Sequence, residues 1–206
     1  EVRSPIGFPS DMAPAIPLVA IASQRGIDSI AFGMIMESAY RVGHEEAREY
    51  VKSSHWRVWW NTFTGAGIPL NLPVAGLSEV NTSRRVNESS LNKTIRSCIR
   101  GKWPEPCMNC WKCFRKLLVD ARINNSMVNE PDFIRWLGVK EVLLKLSAWP
   151  ISHENVLSWS LQGENHEGKT WQLLFSRLEG SQREMNFLER WYSLSQNLLF
   201  PKYKDE

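Results

Sequence analysis

Apolar residues recur at helical spacing along the first third of the chain. A helix is predicted from about Ala13 to Gln24, because Pro14 suits a first turn and Gly26 suits a C-terminal end. A second helix is predicted from about His44 to Phe63, because its aromatic residues recur at i, i+3, i+4 and i+7. These residues are Trp56, Trp59, Trp60 and Phe63. Such a stripe is typical of a buried core face.

Two short segments between these helices have the pattern of strands. Ile27–Gly33 is a short apolar run that ends in a turn, and Ile68–Val74 carries two prolines of the kind found at a sheet edge. A polar helix is predicted to begin at Ser78 and to lead to Cys98. The alternation of helices and strands predicts an α/β layer with parallel strands.

The pattern changes after Cys113. Phe133–Leu146 is apolar on most faces, Val156–Leu161 has the pattern of a possible strand, and two later stripes have helical spacing. The stripes are Trp171, Leu174, Phe175 and Leu178, and Leu188, Trp191, Tyr192, Leu198 and Leu199. The chain is therefore predicted to have two parts. Residues 1–123 would form the α/β part, and residues 130–206 a mostly helical, Trp-rich extension joined to it near Asn124–Asn129.

Composition and charge narrow the function classes. The 206 residues are 43% hydrophobic and 23% charged, which excludes a wholly disordered chain. No apolar run is long enough for a transmembrane helix, so no membrane partner is expected. The formal net charge is only +3, but residues 84–122 contain ten basic and three acidic groups. This excess favours either a solvated face or a site for phosphate, nucleotide or nucleic acid.

All four cysteines lie inside that basic segment. They are Cys98, Cys107, Cys110 and Cys113, with the spacing C-x8-C-x2-C-x2-C. This spacing suits a zinc knuckle, a tight turn that places four thiolates around one zinc ion. Zinc with four protein ligands has no open coordination position, so such a site is structural. An iron–sulfur cluster and free or oxidised cysteines are the alternatives. Thiolate metal sites favour a reducing compartment, which predicts a cytoplasmic protein.

Cationic groups flank the cysteines. Lys112, Arg115 and Lys116 are predicted to offset the net negative charge of a zinc tetrathiolate.

One segment matches a phosphate-binding motif in its letters. Residues 163–170 follow G-x4-G-K-T, yet Glu164 and Glu167 would bring two carboxylates into a loop meant for phosphate. We therefore interpret it as a polar loop that precedes a helix.

The cysteine segment resembles a known enzyme family. Ser97-Cys98, the next three cysteines and the following Phe114-Arg115 resemble the zinc segment of the 7-cyano-7-deazaguanine synthase family, within the PP-loop ATP pyrophosphatase superfamily. The resemblance spans roughly Ser4–Ile123 and implies a parallel-sheet, HUP-like PP-loop layer. That family's phosphate loop, S-G-G-x-D-S, does not occur in the 206 residues, so the layer would lack its first strands. The loop is expected upstream of Glu1 or on a separate chain.

The family's Thr-Lys-Ala-Glu segment also differs in this chain. In this chain the segment reads Leu77-Ser78-Glu79-Val80. The family also has a polar loop after the strand that ends here at Gly33, and this loop is replaced by Glu37-Ser38-Ala39-Tyr40-Arg41. The resemblance therefore does not identify the substrate of this chain.

The resemblance implies the zinc-bearing portion of an ATP-dependent, AMP-forming ligase that acts on a carboxylate-type substrate. Glu37, Tyr40, Arg41 and Arg115 are expected near that substrate, and ATP and Mg²⁺ are expected only together with the missing phosphate loop. Two alternatives remain at this point. One is a zinc-knuckle module that contacts nucleic acid or protein through residues 84–122, and the other is a catalytically inactive partner subunit. A homo-oligomer is also possible.

Overall fold

The computed structural model describes residues 12–43, 46–95, 97–162, 168–178 and 183–204. These residues are mostly helical and divide into two compact units. Unit 1 comprises Glu1–Tyr40, Arg48–Gly76 and Tyr192–Glu206, and unit 2 comprises Arg41–Ala47 and Leu77–Trp191.

Unit 1 contains the short parallel sheet. Strand β1 (Ile30–Ala31) pairs with β2 (Leu70–Asn71) in parallel, with Ile30 opposite Leu70, which confirms the predicted parallel pairing. Because parallel neighbours need a crossover connection, the chain between them carries helices. The first is α2 (Met36–Ala39), and the second is α3 (Ser54–Gly65).

The helices of unit 1 begin where the sequence supplies start signals. A 3-10 turn at Ala13–Ala15 leads into α1 (Ile16–Gln24), as predicted, and Pro17 lies in the first turn, where no N–H bond is lost. Helix α3 begins later than predicted, because the Ser53 hydroxyl accepts a hydrogen bond from the Trp56 N–H and caps it. His44 and Glu45, at the predicted start, lie outside the described residues.

The core of unit 1 is aromatic and aliphatic. Trp56, Trp59 and Phe63 are buried and Trp60 is half-buried, which confirms that the predicted stripe faces a core. Leu198, from the C-terminal segment, is buried in the same core, and its carbonyl accepts a hydrogen bond of 3.0 Å from the Leu72 N–H.

Helices are the main regular elements in the described residues of unit 2. Its helices are α4 (Glu79–Glu88), α5 (Trp111–Ile123), α6 (Glu130–Leu137), α7 (Lys140–Ser147), α8 (Glu154–Leu161) and α9 (Lys169–Arg177). Helix α5 packs most extensively against α8. Rings from α5 and α6 share the core, with the Phe114 centroid 5.9 Å from Phe133 and 5.8 Å from Trp136.

Two segments differ from their predicted structure. Val156–Leu161 is part of helix α8 and not a strand; every residue from Asn155 to Leu161 is buried, so the periodicity that marks a helix is absent. The predicted stripe from Leu188 to Leu199 is not one helix. It forms 3-10 turns at Asn186–Glu189 and Ser193–Leu198, because the backbone between them is extended at Arg190 and Tyr192.

The predicted boundary near residues 124–129 lies inside unit 2. Helices α5 and α6, on its two sides, contribute to one hydrophobic core, whereas residues 192–204 belong to unit 1. The buried residues Trp171, Leu174 and Leu178 confirm the first C-terminal stripe as a core face.

The described helices are too short or too polar to cross a bilayer, which needs about 20 apolar residues.

Candidate metal centre

The four cysteines converge on one point in unit 2. Their sulfur atoms all lie within 4.8 Å of one another, and Sγ of Cys107 is 3.7 Å from Sγ of Cys113. A tetrahedral zinc site with Zn–S bonds of about 2.3 Å has S–S edges of roughly 3.8 Å. All four thiols are free of disulfides. The cluster therefore has the size and the donor set for one metal ion such as zinc.

The backbone around the sulfurs has the form of a metal knuckle. The Cys107 N–H donates to Sγ of Cys98 at 3.5 Å, and the Asn109 N–H donates to Sγ of Cys107 at 3.5 Å. Met108, between the second and third cysteines, adopts a φ of +48°, which turns the chain back sharply. These N–H groups stabilise the negative charge that sulfur carries as a metal ligand.

Cys110 also caps helix α5. Its Sγ accepts a hydrogen bond of 3.4 Å from the Cys113 N–H, in the position usually taken by a Ser or Asp oxygen. The centre therefore fixes the start of α5 directly.

A glycine allows the loop between the first two ligands to fold tightly. A Cβ on Gly101 would lie 2.3 Å from the Glu105 carbonyl oxygen and 2.6 Å from the Cys107 nitrogen. Both neighbours are backbone atoms and cannot move aside, so this close approach requires glycine.

The thiols do not share one environment. The hydrogen bond from the Cys107 N–H lowers the pKa of Cys98 to about 6, whereas burial raises the pKa of Cys113. A metal ion binds thiolates, so its binding displaces the remaining thiol protons.

The cations near the cysteines have partners of their own. Lys112 Nζ donates to the Ser97 carbonyl at 3.3 Å, and Lys116 contacts the Ser83 hydroxyl. Arg100 pairs with Glu141 at 2.5 Å. Lys112 and Lys116 thus each contact a group other than the cysteines, as does Arg115. Their role in offsetting thiolate charge stays a prediction.

Arg115 forms a buried ion pair. Its NH2 and Nε donate to one carboxylate oxygen of Glu79 at 3.0 and 3.2 Å, and both side chains are less than 10% exposed. The pair links α4 to α5. Sequence reasoning missed Glu79 as this partner, because the two residues are 36 positions apart and no local signal connects them.

The other predicted substrate residues lie in different surroundings. Glu37 is buried on α2, and the half-buried Tyr40 follows it with its hydroxyl 2.9 Å from Ser195 Oγ. Both belong to unit 1 and follow the carboxyl end of β1. Arg41 is exposed with a φ of +57° and, like Arg115, belongs to unit 2. The structure thus brings the cysteines together, and the substrate assignment of these four residues stays a prediction.

The phosphate-loop-like segment has a carboxylate at its helix start. Residues 163–167 lie outside the described part, but Lys169 begins α9, as expected for a polar loop followed by a helix. The Thr170 N–H donates to Glu130 Oε1 at 2.9 Å and lowers the pKa of that carboxyl. A Cβ on Gly168 would lie 2.3 Å from the Glu130 carboxyl carbon. A carboxylate of the chain itself thus occupies the position where phosphate would meet the helix N–H groups.

A family model matches residues 58–206, and its description is "Family of unknown function (DUF6395)". The match spans well over half of the chain, so the chain belongs to this family. Searches of curated proteins and of solved structures returned no match.

We expect one zinc ion per chain, measured by elemental analysis of the purified protein. Cys110→Ser keeps a capping oxygen but weakens the metal site. It should release zinc and lower Tm by about 10 °C or more, since structural zinc contributes directly to folding. Asn109→Ala, an exposed position between two ligands, is the matched control and should keep both the zinc and Tm. Iron with visible absorption, or protein without metal, would contradict the assignment.

The buried ion pair predicts a strong effect on stability. Arg115→Met should lower the free energy of unfolding by about 3–5 kcal/mol, because it leaves the Glu79 carboxylate buried without its charge partner. Arg135→Met removes an exposed pair with Asp132 and should cost less than about 1 kcal/mol. Urea unfolding of both variants measures the difference. Equal losses would show that the Glu79–Arg115 pair is not important for stability.

Proposed function

We propose that this chain is the zinc-bearing portion of an ATP-dependent, AMP-forming enzyme of the PP-loop type, acting on a carboxylate-type substrate. The observation that carries the proposal is the joint occurrence of a parallel β–α–β unit and a four-cysteine centre in one chain, in the order that the resemblance implies. Zinc in this centre has four protein ligands and no open position, so its role is structural.

The carboxyl end of β1 supports the same proposal. Ligands of open α/β sheets bind beyond the carboxyl ends of the strands, and Glu37 and Tyr40 follow β1 at that end. Burial raises the pKa of the Tyr40 hydroxyl, so it remains a proton donor at neutral pH. In the proposed reaction a substrate carboxylate attacks the α-phosphate of ATP, and pyrophosphate leaves. The resulting acyl-adenylate is then open to attack by nitrogen, which releases AMP.

The phosphate-binding part of such an enzyme must come from elsewhere. The motif S-G-G-x-D-S is not present in these 206 residues, and Glu130 caps the helix that follows the G-x4-G-K-T segment. Without a loop of backbone N–H groups, cations attract ATP but do not orient its α-phosphate for attack.

ATP titration tests the proposal. We expect the 206-residue protein to show no tight magnesium-dependent ATP binding in isothermal titration. Supplying a segment that carries S-G-G-x-D-S, fused upstream of Glu1 or as a separate chain, should produce binding and ATP–pyrophosphate exchange. In that assembly Lys169→Ala should leave the ATP affinity unchanged, because Lys169 is exposed beside a carboxylate-capped helix.

Two results would overturn this proposal. Tight MgATP binding by the 206-residue protein alone would place the nucleotide site within these residues. A large loss of ATP affinity in Lys169→Ala would show that the G-x4-G-K-T segment holds phosphate.

A second candidate function is favoured by the exposed surface of the knuckle. Ile99, Trp103 and Met108 are 93%, 68% and 53% exposed, and all three lie between metal ligands. Lys102 and Lys112 are exposed beside them. An aromatic side chain among cations is the arrangement on which single-stranded nucleic acids stack.

This second function has its own measurement. Fluorescence anisotropy with a labelled single-stranded RNA should show binding that weakens as salt rises, and Trp103→Ala should reduce the affinity about tenfold. Trp149→Ala is the control, because Trp149 is 60% exposed but lies between α7 and α8. Equal effects of the two variants, or no binding, would rule out a nucleic-acid role for the knuckle.

A further inference from the structure

Unit 2 contains a cavity beside the cysteine cluster that the proposed function does not use. Its volume is about 880 Å³, within the range of small-molecule sites of roughly 300–1,000 Å³. Cys98 and Cys113 contribute to its lining, so the cavity borders the metal centre.

Helices α4 and α5 form two walls of the cavity. Helix α5 contributes Cys113, Lys116, Leu117 and Asp120, whose spacing places them along one face of the helix. Helix α4 contributes Ser83, Val86 and Asn87, among others, from the facing side. Because Cys110 of the cysteine cluster caps α5, the cluster sets where this face of α5 begins.

The lining contains both apolar and polar side chains. Val86, Leu117, Val128 and Trp136 supply apolar surface from three helices and the loop before α6. Hydroxyl, amide and charged groups come from α4, α5 and α6 and from the segments that connect them. A molecule with an apolar body and a polar head therefore finds partners of both kinds in this space.

One cation of the described lining is placed to bind an anionic head. Asp132 pairs with Arg135 at 3.5 Å, and Asp120 lies one turn from Lys116 on α5, so each carboxyl has a nearby cation. Lys93 lies in the lining as well, so three cations stand beside these two carboxylates and the sulfurs of Cys98 and Cys113. The half-buried Lys116 contacts Ser83 Oγ, and since an ammonium has three N–H donors, this contact leaves donors for a ligand.

We propose that this cavity binds a small amphipathic organic anion, with its carboxylate or similar acid group on Lys116 and its apolar body against Val86, Leu117 and Trp136. The site lies wholly in unit 2. It depends on neither the β1–β2 sheet nor a phosphate loop, so it does not require the proposed ATP chemistry.

The test uses 8-anilinonaphthalene-1-sulfonate, a fluorescent apolar anion, with the zinc-loaded full chain. We expect saturable binding of one probe per chain, with an affinity that falls about tenfold in Lys116→Met, because a charge-assisted hydrogen bond is lost. Lys145→Met is the control, since Lys145 is an exposed lysine on α7 outside the cavity, and it should bind the probe as the parent protein does. Circular dichroism and zinc content establish that both variants are folded.

Two further measurements define the ligand class. N-phenyl-1-naphthylamine, the same probe without its sulfonate, should bind more weakly and should not respond to Lys116→Met. Benzoate should displace the anionic probe, whereas inorganic phosphate should not, since phosphate has no apolar body.

The proposal is overturned by any of three results. These are equal binding of the sulfonate probe by Lys116→Met and Lys145→Met, binding of several probes without saturation, and displacement by phosphate as effective as displacement by benzoate. None of them bears on ATP titration, so a failure here is distinct from a failure of the proposed enzyme activity.

Discussion

The structure of unit 2 depends on the convergence of four sulfur atoms at the start of one helix. Cys110 is at once a member of the cluster and the N-cap of α5, so the same atom fixes the loop and begins the helix. From that start, Phe114 and Leu118 enter the shared core, and Arg115 reaches Glu79 of α4. The start of α5 is thus set by the same backbone turn that brings the four sulfur atoms together.

Aromatic packing then completes the core of unit 2, and four of the ten tryptophans are buried in this unit: Trp111, Trp136, Trp159 and Trp171. Phe133 and Trp171 stack with their centroids 3.9 Å apart and their planes 16° from parallel. Trp159 is buried, and its Nε1 donates to Glu189 at 2.8 Å while the Arg122 guanidinium lies 4.1 Å from the ring centroid. Large rings fill the volume between short helices of eight to thirteen residues, each of which buries little surface alone.

The same contacts change the interpretation of the basic segment. Arg84 pairs with Glu189 at 2.9 Å, Arg115 with Glu79, and Arg122 covers Trp159. These cations hold unit 2 together and are not a uniform surface for an anionic partner. The composition gives only the number of charged residues. The partners of these cations are distant in sequence, so they are identified only in the folded chain.

The sequence predicted well what local chemistry decides. The cysteine cluster, the start of α4 at Ser78 and the stripe of α3 follow from local sequence patterns, and the structure confirms them. Helix α4 ends at Glu88, well before the predicted end near Cys98. It predicted poorly what tertiary context decides. Helix α8 is buried on all sides, so its sequence shows no alternation of apolar and polar residues with a helical period. The stripe from Leu188 to Leu199 has helical spacing in the sequence, but extended backbone at Arg190 and Tyr192 divides it. The predicted boundary after α5 likewise overlooked a core shared across the loop.

A metal ion in the four-cysteine cluster would act through position rather than reactivity. Four thiolates would leave zinc no open site, so the ion would contribute only through what it holds in place. Cys113 belongs to the cluster, and Lys116 and Asp120 follow at the next two turns of the same helix face, in the wall of the cavity. A shift of α5 by part of a turn would rotate both charged groups away from α4 and would also separate Arg115 from Glu79. The metal centre, the buried ion pair and the cavity therefore form one mechanical unit, in which the register of a single helix determines all three.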